Sequence, residues 1–416
     1  MASRIQLMAG ERAAQAAGGG TIAPAANSCD RELQASNVSN EVVSNRSPAL
    51  SVTLQRPGRH RYISWIRAIA AAEVLFWHSD LVTKHFSTST VIVPPYSTVG
   101  GVGVDIFFVL SGYIMCMRAT SYKNGGQYLY ARLLRLVPMY WIFTCAVILA
   151  YLINKNWHLG GFDLSVMMVL RSYLMLPGWG FPILSVGWTL EYEMIFYVLV
   201  AFLAVGVGRP MARTILFAVV FGLGLAGMMV PATADEVGPL ASPIGHVFSA
   251  YMLTFAAGWL IRLVEENGGA RRNWHTIAGI LIIFSLGLHQ AGPGGAHLGL
   301  RAILAASCFL FFQLVQTWFE TNNPINRFVS LLGDSSYSIY LSHWFVLSIF
   351  GKSLGKVAPA EIAAWPLRMC GIAIALAIGV GAYLALERPI DRFLRRQPWP
   401  WRKAPRETPM VGAKAA

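Results

Sequence analysis

Charge is what this chain has least of. Only 13% of its 416 residues are Asp, Glu, Lys or Arg, against about 25% in a soluble domain. Hydrophobic residues make up 55%, and the mean hydropathy is +0.50. An ordinary soluble domain is thereby excluded, and a polytopic membrane protein is indicated. Cysteine is scarce as well. Cys29, Cys116, Cys145, Cys308 and Cys370 are scattered, with no Cys-x-x-Cys or Cys/His spacing, so neither a metal site nor a disulfide framework is inferred. Residues 1–56 lack the apolar stretch of about 7 to 15 residues that a signal peptide needs. They are rich in Ala, Ser, Asn and Gly and read as a disordered cytoplasmic tail. The net charge of +13 is the sum expected of basic loops on one side of a membrane, and it is read that way rather than as a nucleic-acid footprint.

Long polar loops are missing too. Apolar runs able to span occur near 62–82, 97–117, 136–153, 186–206, 212–230, 245–264, 274–291, 298–316, 333–351 and 366–386, which makes ten spans. The segment 164–176 is too short to span and contains Arg171, so it is taken as an interfacial or re-entrant piece. With the N-terminus inside, the inner loops hold Arg118, Lys123, Arg132 and Arg135, then Arg209 and Arg213, Arg262, Arg271 and Arg272, Arg327, and the tail from Arg388 to Lys414. The outer loops hold only Lys84, Lys155, Arg171, Lys352 and Lys356. This asymmetry predicts both termini in the cytoplasm. The expected architecture is an all-α polytopic membrane protein with no large soluble domain: a lead over 1–56, a membrane domain over 57–396 and a basic cytoplasmic tail over 397–416.

Against so little charge, the ionisable residues inside apolar runs stand out. The stretch Arg61 to Met115 carries Arg67, Glu73, His78 and Asp105, and a lipid-embedded helix holds each at a cost of ~2.5 kcal/mol or more near the bilayer centre. Arg67 and His78 are eleven residues apart, three turns plus about 20°, so they share a face about 16 Å apart along the axis. One helix face then offers a fixed cation at one depth and a titratable imidazole at another. Snorkelling to the inner headgroups is the plainer use of Arg67, and wetting at the outer interface that of His78. Glu73, about 120° round from Arg67, faces elsewhere, toward a neighbouring helix. Asp105 lies in a glycine-rich run, where an unpaired carboxylate must be neutral or paired. It is expected to hold one ring nitrogen of His78 and leave the other free as a base.

Arg132 and Arg135, three apart at the inner end of the third run, suit bidentate phosphate recognition. Positive-inside topology or anionic lipid would also explain them. The fourth run opens with Trp188, Glu191, Tyr192 and Glu193, where an outer aromatic belt and the helix dipole account for some of these residues. His343 follows the hydroxyls of Ser335, Ser336, Ser338 and Tyr340 and falls near mid-bilayer, as either a structural or a functional histidine.

Six motifs in order then carry a resemblance. They are Arg-x10-His at Arg67 and His78, Gly-Val-Asp-x-Phe-Phe-Val-Leu-Ser-Gly-Tyr from Gly103 to Tyr113, and Arg-x-x-Arg-x-x-Pro at Arg132, Arg135 and Pro138. Further on come Trp-Thr-Leu-x-x-Glu-x-x-Phe-Tyr from Trp188 to Tyr197, Ser-Tyr-Ser-Ile-Tyr-Leu-x-His from Ser336 to His343, and Glu-Arg-Pro at 387–389. Over about 60–396 the chain resembles the acyltransferase-3 family of integral-membrane O-acyltransferases, which modify exopolysaccharide, lipopolysaccharide O-antigen or lipo-oligosaccharide in the bacterial inner membrane. The resemblance implies transfer of an acyl group, usually acetyl from acetyl-CoA, to a sugar hydroxyl, with no metal. Its functional residues map onto Arg67, His78, Asp105, Arg132, Arg135, Trp188, Glu193 and His343. Glu191 matches no family position.

On this basis Arg67, Arg132 and Arg135 are expected to bind the coenzyme A phosphates at a cytoplasmic mouth. His78, Asp105 and His343 are the expected catalytic group, with His343 as a donor to the thioester oxyanion or a second acid/base. Trp188 and Glu193 are expected to grip the glycan or lipid-linked saccharide acceptor. A transporter or flippase of a glycan, lipid or small anion is the alternative, since ionisable residues inside spans also mark substrate paths.

Overall fold

The computed structural model describes residues 61–83, 101–154, 164–205, 210–229, 242–249, 251–266, 298–354 and 364–397. The lead 1–56, the expected span 274–291 and all of the tail beyond Gln397 lie outside the described residues. Every regular element among the described residues is helical. In chain order these are α1 (Arg61–Trp77), α2 (Asp80–Thr83), α3 (Val102–Ala119), α4 (Gly125–Ile153), α5 (Val166–Leu174) and α6 (Trp188–Leu199), which runs on as a π-helical turn, Val200–Val205. There follow α7 (Pro210–Met229), α8 (Pro243–Val247), α9 (Tyr251–Glu266), α10 (Leu298–Leu314), α11 (Gln316–Phe319), α12 (Pro324–Asp334) and α13 (Ser336–Leu354). Then α14 (Ala364–Ala382) continues as a π-helical segment, Tyr383–Glu387, into α15 (Arg388–Arg396).

Helices and apolar runs do not correspond one for one. Among the described residues, five segments are long and apolar enough to cross a membrane: Val102–Ala119, Gly125–Ile153, Ser185–Val205, Pro243–Glu266 and Trp365–Arg396. The first apolar run is divided after Trp77, where His78 and Ser79 form a turn. The ninth is broken at Ser335, whose hydroxyl donates to the carbonyls of Leu331 and Leu332 at 2.8 and 3.1 Å and so competes with the helical ladder. The third begins earlier than its apolar run, because the side chain of Asn124 accepts from the N–H of Gln127 at 2.9 Å and caps α4 there. Arg132 and Arg135 therefore sit two turns or more inside a helix instead of at its end. The segment 164–176 forms the nine-residue α5, capped by Ser165 and too short to cross.

Leu149, Leu152 and Ile153 on α4, Phe202 beyond α6 and Met211 on α7 are more than half exposed, which fits helices whose outer faces meet lipid. Inside, α3 and α9 pack with backbones in contact. A Cβ on Gly112 would fall on the carbonyl oxygen of Phe255, and one on Gly258 on that of Val109. Small residues placed reciprocally let two apolar helices approach where burial alone drives nothing. Rings of Phe108, Phe196 and Phe255 stack beside this crossing, with centroids 4.7 and 4.2 Å apart about Phe255, and the core joins α3, α4, α6, α9 and α13. The first helix lies against α3, α12 and α13. Glu73 faces the neighbour the sequence anticipates: its carboxylate packs on Gly103 of α3.

Candidate active site

Three α13 residues, Ser336, Tyr340 and His343, recur at spacings of four and three and so line one face. That face meets the Arg67–His78 side of α1. At one end Nε of Arg67 donates to Oγ of Ser336 at 3.0 Å. At the other, Nε2 of His343 lies 3.1 Å from Nδ1 of His78. The two rings are 5.0 Å apart, and Trp344 closes edge-on over His78 at 4.9 Å. Arg67 on α1 and His78 in the turn that follows it thus face the same partner, α13.

Backbone carbonyls decide where the protons sit on the two imidazoles. Nδ1 of His343 is 2.6 Å from the carbonyl of Tyr340, and Nδ1 of His78 is 3.0 Å from that of Val74. A carbonyl only accepts, so each Nδ1 carries a hydrogen. His343 then turns the lone pair of Nε2 to His78, and the Nδ1 hydrogen of His78 is shared between Val74 and His343. Nε2 of His78 is left as the basic nitrogen. The sequence points to Asp105 at a ring nitrogen of His78; at Nδ1 the structure has His343. In this arrangement the Nδ1 hydrogen of His343 is taken up by the carbonyl of Tyr340. Asp105 is fully buried in the first turn of α3.

A cleft of about 850 Å³ opens between α1, α3, α4, α6 and α13. Arg67, Arg132, Arg135, Ser111, Glu193 and Ser336 all line it. Arg135 is exposed and Arg132 is only 8% accessible. Nε and Nη2 of Arg132, which together make one edge of the guanidinium, have no hydrogen-bond partner among the described residues. Glu193 accepts from Oγ of Ser111 at 3.1 Å and from the hydroxyl of Tyr197 at 2.7 Å. The far end of the cleft is Thr189 and Tyr340, whose hydroxyls are 2.8 Å apart. The histidine pair stands one turn beyond Tyr340 on α13.

Of the residues singled out from sequence, the fold brings Arg67, Arg132, Arg135 and Glu193 into one cleft and places His78 and His343 just past its end. Trp188 stands apart from Glu193 and packs on Tyr192 and Tyr251 at 5.9 and 5.5 Å. Five residues along a helix turn a side chain about 140° and carry it about 7.5 Å, so the two diverge. Ser336, Tyr340 and Thr189 join the site unassigned by sequence, although the four-and-three spacing from Ser336 to His343 is visible there. Glu191 lies outside the cleft, fully buried, between Arg171 Nη2 and His246 Nε2, each 3.1 Å away.

Residues 60–384 match the family described as "Acyltransferase domain". The exopolysaccharide production protein ExoZ of Rhizobium meliloti (strain 1021) is 29% identical over 318 residues, covering 71% of this chain and 90% of that protein. The putative acetyltransferase ORF330 of Acidianus two-tailed virus is 24% identical, covering 78% and 94% respectively. The acyltransferase MdmB of Streptomyces mycarofaciens is 23% identical, covering 73% and 84%. No solved structure matches the chain.

Proposed function

The chain belongs to the acyltransferase-domain family, and on that footing we propose that it is a membrane O-acetyltransferase of the bacterial inner membrane, carrying acetyl from cytoplasmic acetyl-CoA to a hydroxyl of an extracytoplasmic or lipid-linked glycan. One observation carries the donor half of this reading: the buried edge of Arg132 has two donors without a hydrogen-bond partner among the described residues and shares a cleft with Arg67 and Arg135. An edge of two parallel N–H groups in a low-dielectric site fits a phosphate oxygen pair. Three guanidiniums in one cleft suit a ligand with several phosphates. Arg67 lies about 16 Å along α1 from His78, a length a pantetheine arm covers, so the thioester of a donor held at the arginines ends near the imidazoles.

In the chemistry proposed, Nε2 of His78 takes the proton of the acceptor hydroxyl as its oxygen attacks the thioester carbonyl. The new C–O bond forms, the C–S bond breaks, and the thiolate of coenzyme A leaves with the proton that Nε2 of His78 has taken from the hydroxyl. His343 accepts the Nδ1–H of His78 and steadies the imidazolium formed in that step, the part a carboxylate plays in other triads. Asp105 lies buried in the first turn of α3, whose side chains from Val104 to Met115 wall the cleft. Trp188, at the opposite end of α6 from the arginines, is the candidate contact for a pyranose face. Glu193 balances the charge of Arg132 beside the donor.

Radiolabelled acetyl-CoA added to inverted membrane vesicles tests this. Label is expected to move into glycan with stoichiometric release of coenzyme A, and surface glycans of cells lacking the protein should be lighter by one acetyl mass per site. Vesicles that neither consume acetyl-CoA nor label glycan would exclude an acetyltransferase.

A further inference from the structure

One cation inside an apolar run belongs to none of the six motifs: Arg368, near the start of α14. Its neighbours Trp365, Met369 and Cys370 are exposed, whereas Arg368 is only 2% accessible. The charge faces into the protein and the apolar side chains face out, so snorkelling to headgroups is not its use. A guanidinium turned inward on a membrane helix points to a partner that offsets its desolvation.

That partner is the turn that carries His78. Nε of Arg368 donates to Oγ of Ser79 at 3.1 Å, in a buried contact. Ser79 is itself fully buried and gives its hydroxyl hydrogen to the carbonyl of Phe76 at 2.6 Å. The ring of Phe76 stacks on Trp365 with centroids 6.1 Å apart, and the guanidinium of Arg368 stands over Trp365 at 5.2 Å. The contacts therefore close a circuit from α14 to the end of α1 and back. Asp80, which opens α2, adds an attractive charge. Helix α13 confines the same segment, because a Cβ on Gly351 would fall on the carbonyl oxygens of Leu81 and Val82.

The shape of this turn sets the direction of the imidazole. The carbonyl of Phe76 accepts the N–H of Ser79 at 3.1 Å, a tighter closure than the α-helical one, and the Ser79 hydroxyl takes its second lone pair. His78 lies inside that closure. We infer, building on the mechanism proposed above, that Arg368 is a positioning residue: acting through Ser79, it fixes the turn and holds Nε2 of His78 where the acceptor hydroxyl must lose its proton. A reacting group misplaced by about 1 Å loses on the order of 100-fold in rate, so a link one residue from the base bears on kcat.

Inverted membrane vesicles carrying the full-length protein, given acetyl-CoA, test this through steady-state release of coenzyme A per folded protein. Arg368→Lys keeps the charge but not the N–H aimed at Ser79, and Ser79→Ala removes the acceptor. Each is expected to lower kcat ~10-fold with the KM for acetyl-CoA near native. The double variant should also lose only ~10-fold, where two independent sites would lose ~100-fold. Losses that multiply, or native kcat in either single variant, overturn the assignment and leave the transferase reading intact. Vesicles in which the native protein releases no coenzyme A overturn both together. Should Arg368→Lys not accumulate, Ser79→Ala and Ser79→Thr decide: the threonine restores the hydroxyl and must recover the lost kcat, and equal rates in the two overturn the proposal.

Discussion

Nε2 of His343 stands 3.1 Å from Nδ1 of His78, and each ring has a backbone carbonyl at its own Nδ1. The two rings therefore form a directional chain: carbonyl of Tyr340, His343, His78, then a nitrogen with its lone pair available. Proton direction is set by main-chain groups, which titration does not change.

In the mechanism proposed, His343 orients His78 and His78 is the base, so the two histidines are expected to differ in their variants. His78→Ala should abolish transfer. His343→Ala should lower kcat by ~100-fold or more, with little change in the KM for acetyl-CoA, as loss of an orienting partner does. Steady-state rates of coenzyme A release check this, and a His343→Ala enzyme with native kcat would exclude the pairing from catalysis.

The two arginines of α4 are predicted to be unequal, since Arg132 is buried with one edge lacking a hydrogen-bond partner among the described residues and Arg135 is exposed. Arg132→Lys removes a planar pair of donors and should raise the KM for acetyl-CoA ~10-fold with kcat near native. Arg135→Lys keeps a solvated cation and should raise it ~2-fold to ~3-fold. Equal effects on donor KM would count against a bidentate role for Arg132.

Glu191 is a structural member, in contact with Arg171 and His246 but not with the cleft. Arg171 also holds four carbonyls, that of Leu176 through Nε, that of Trp179 through Nη1 and those of Gly178 and Gly180 through Nη2 itself, so the carboxylate helps to secure a whole loop. Glu191→Ala removes the carboxylate shared by a partly buried guanidinium and a fully buried imidazole and should cost about 3–5 kcal/mol. A large fall in thermal unfolding temperature in detergent is expected, with donor KM unchanged in the protein that survives; an unchanged unfolding temperature would show that the cluster stabilises nothing.

Glycines separate by what stands opposite them. Gly258→Val drives side-chain atoms into the backbone of Val109 on α3 and should reduce the yield of folded protein several-fold. Gly222 on α7 has nothing within 4 Å of a built Cβ, so Gly222→Ala is expected to be neutral or to stabilise by about 0.5–1 kcal/mol. Comparable monodisperse yields of Gly258→Val and native protein on size-exclusion chromatography would contradict the contact.

Low charge and the lengths of apolar runs were enough to read a helical membrane protein from the chain. Spacing was enough to align Arg67 with His78, because both depend only on local composition and the 3.6-residue repeat. Helix limits were less legible. A capping Asn124 moved the start of α4 far ahead of its apolar run, and Ser335 divided another run, since backbone hydrogen bonds and not hydropathy end a helix.

What the sequence determined by itself was therefore which side chains are costly to bury, and which of them share a face of one helix. Which helix stands opposite was decided only in three dimensions. The contact between α1 and α13 put His343 at Nδ1 of His78, and the turn of α6 put Glu193 beside Arg132 and away from Trp188. Periodicity is a property of one segment, whereas a proton's partner is fixed by two segments meeting, and that meeting depends on how glycine-lined helix faces pack across the whole membrane domain.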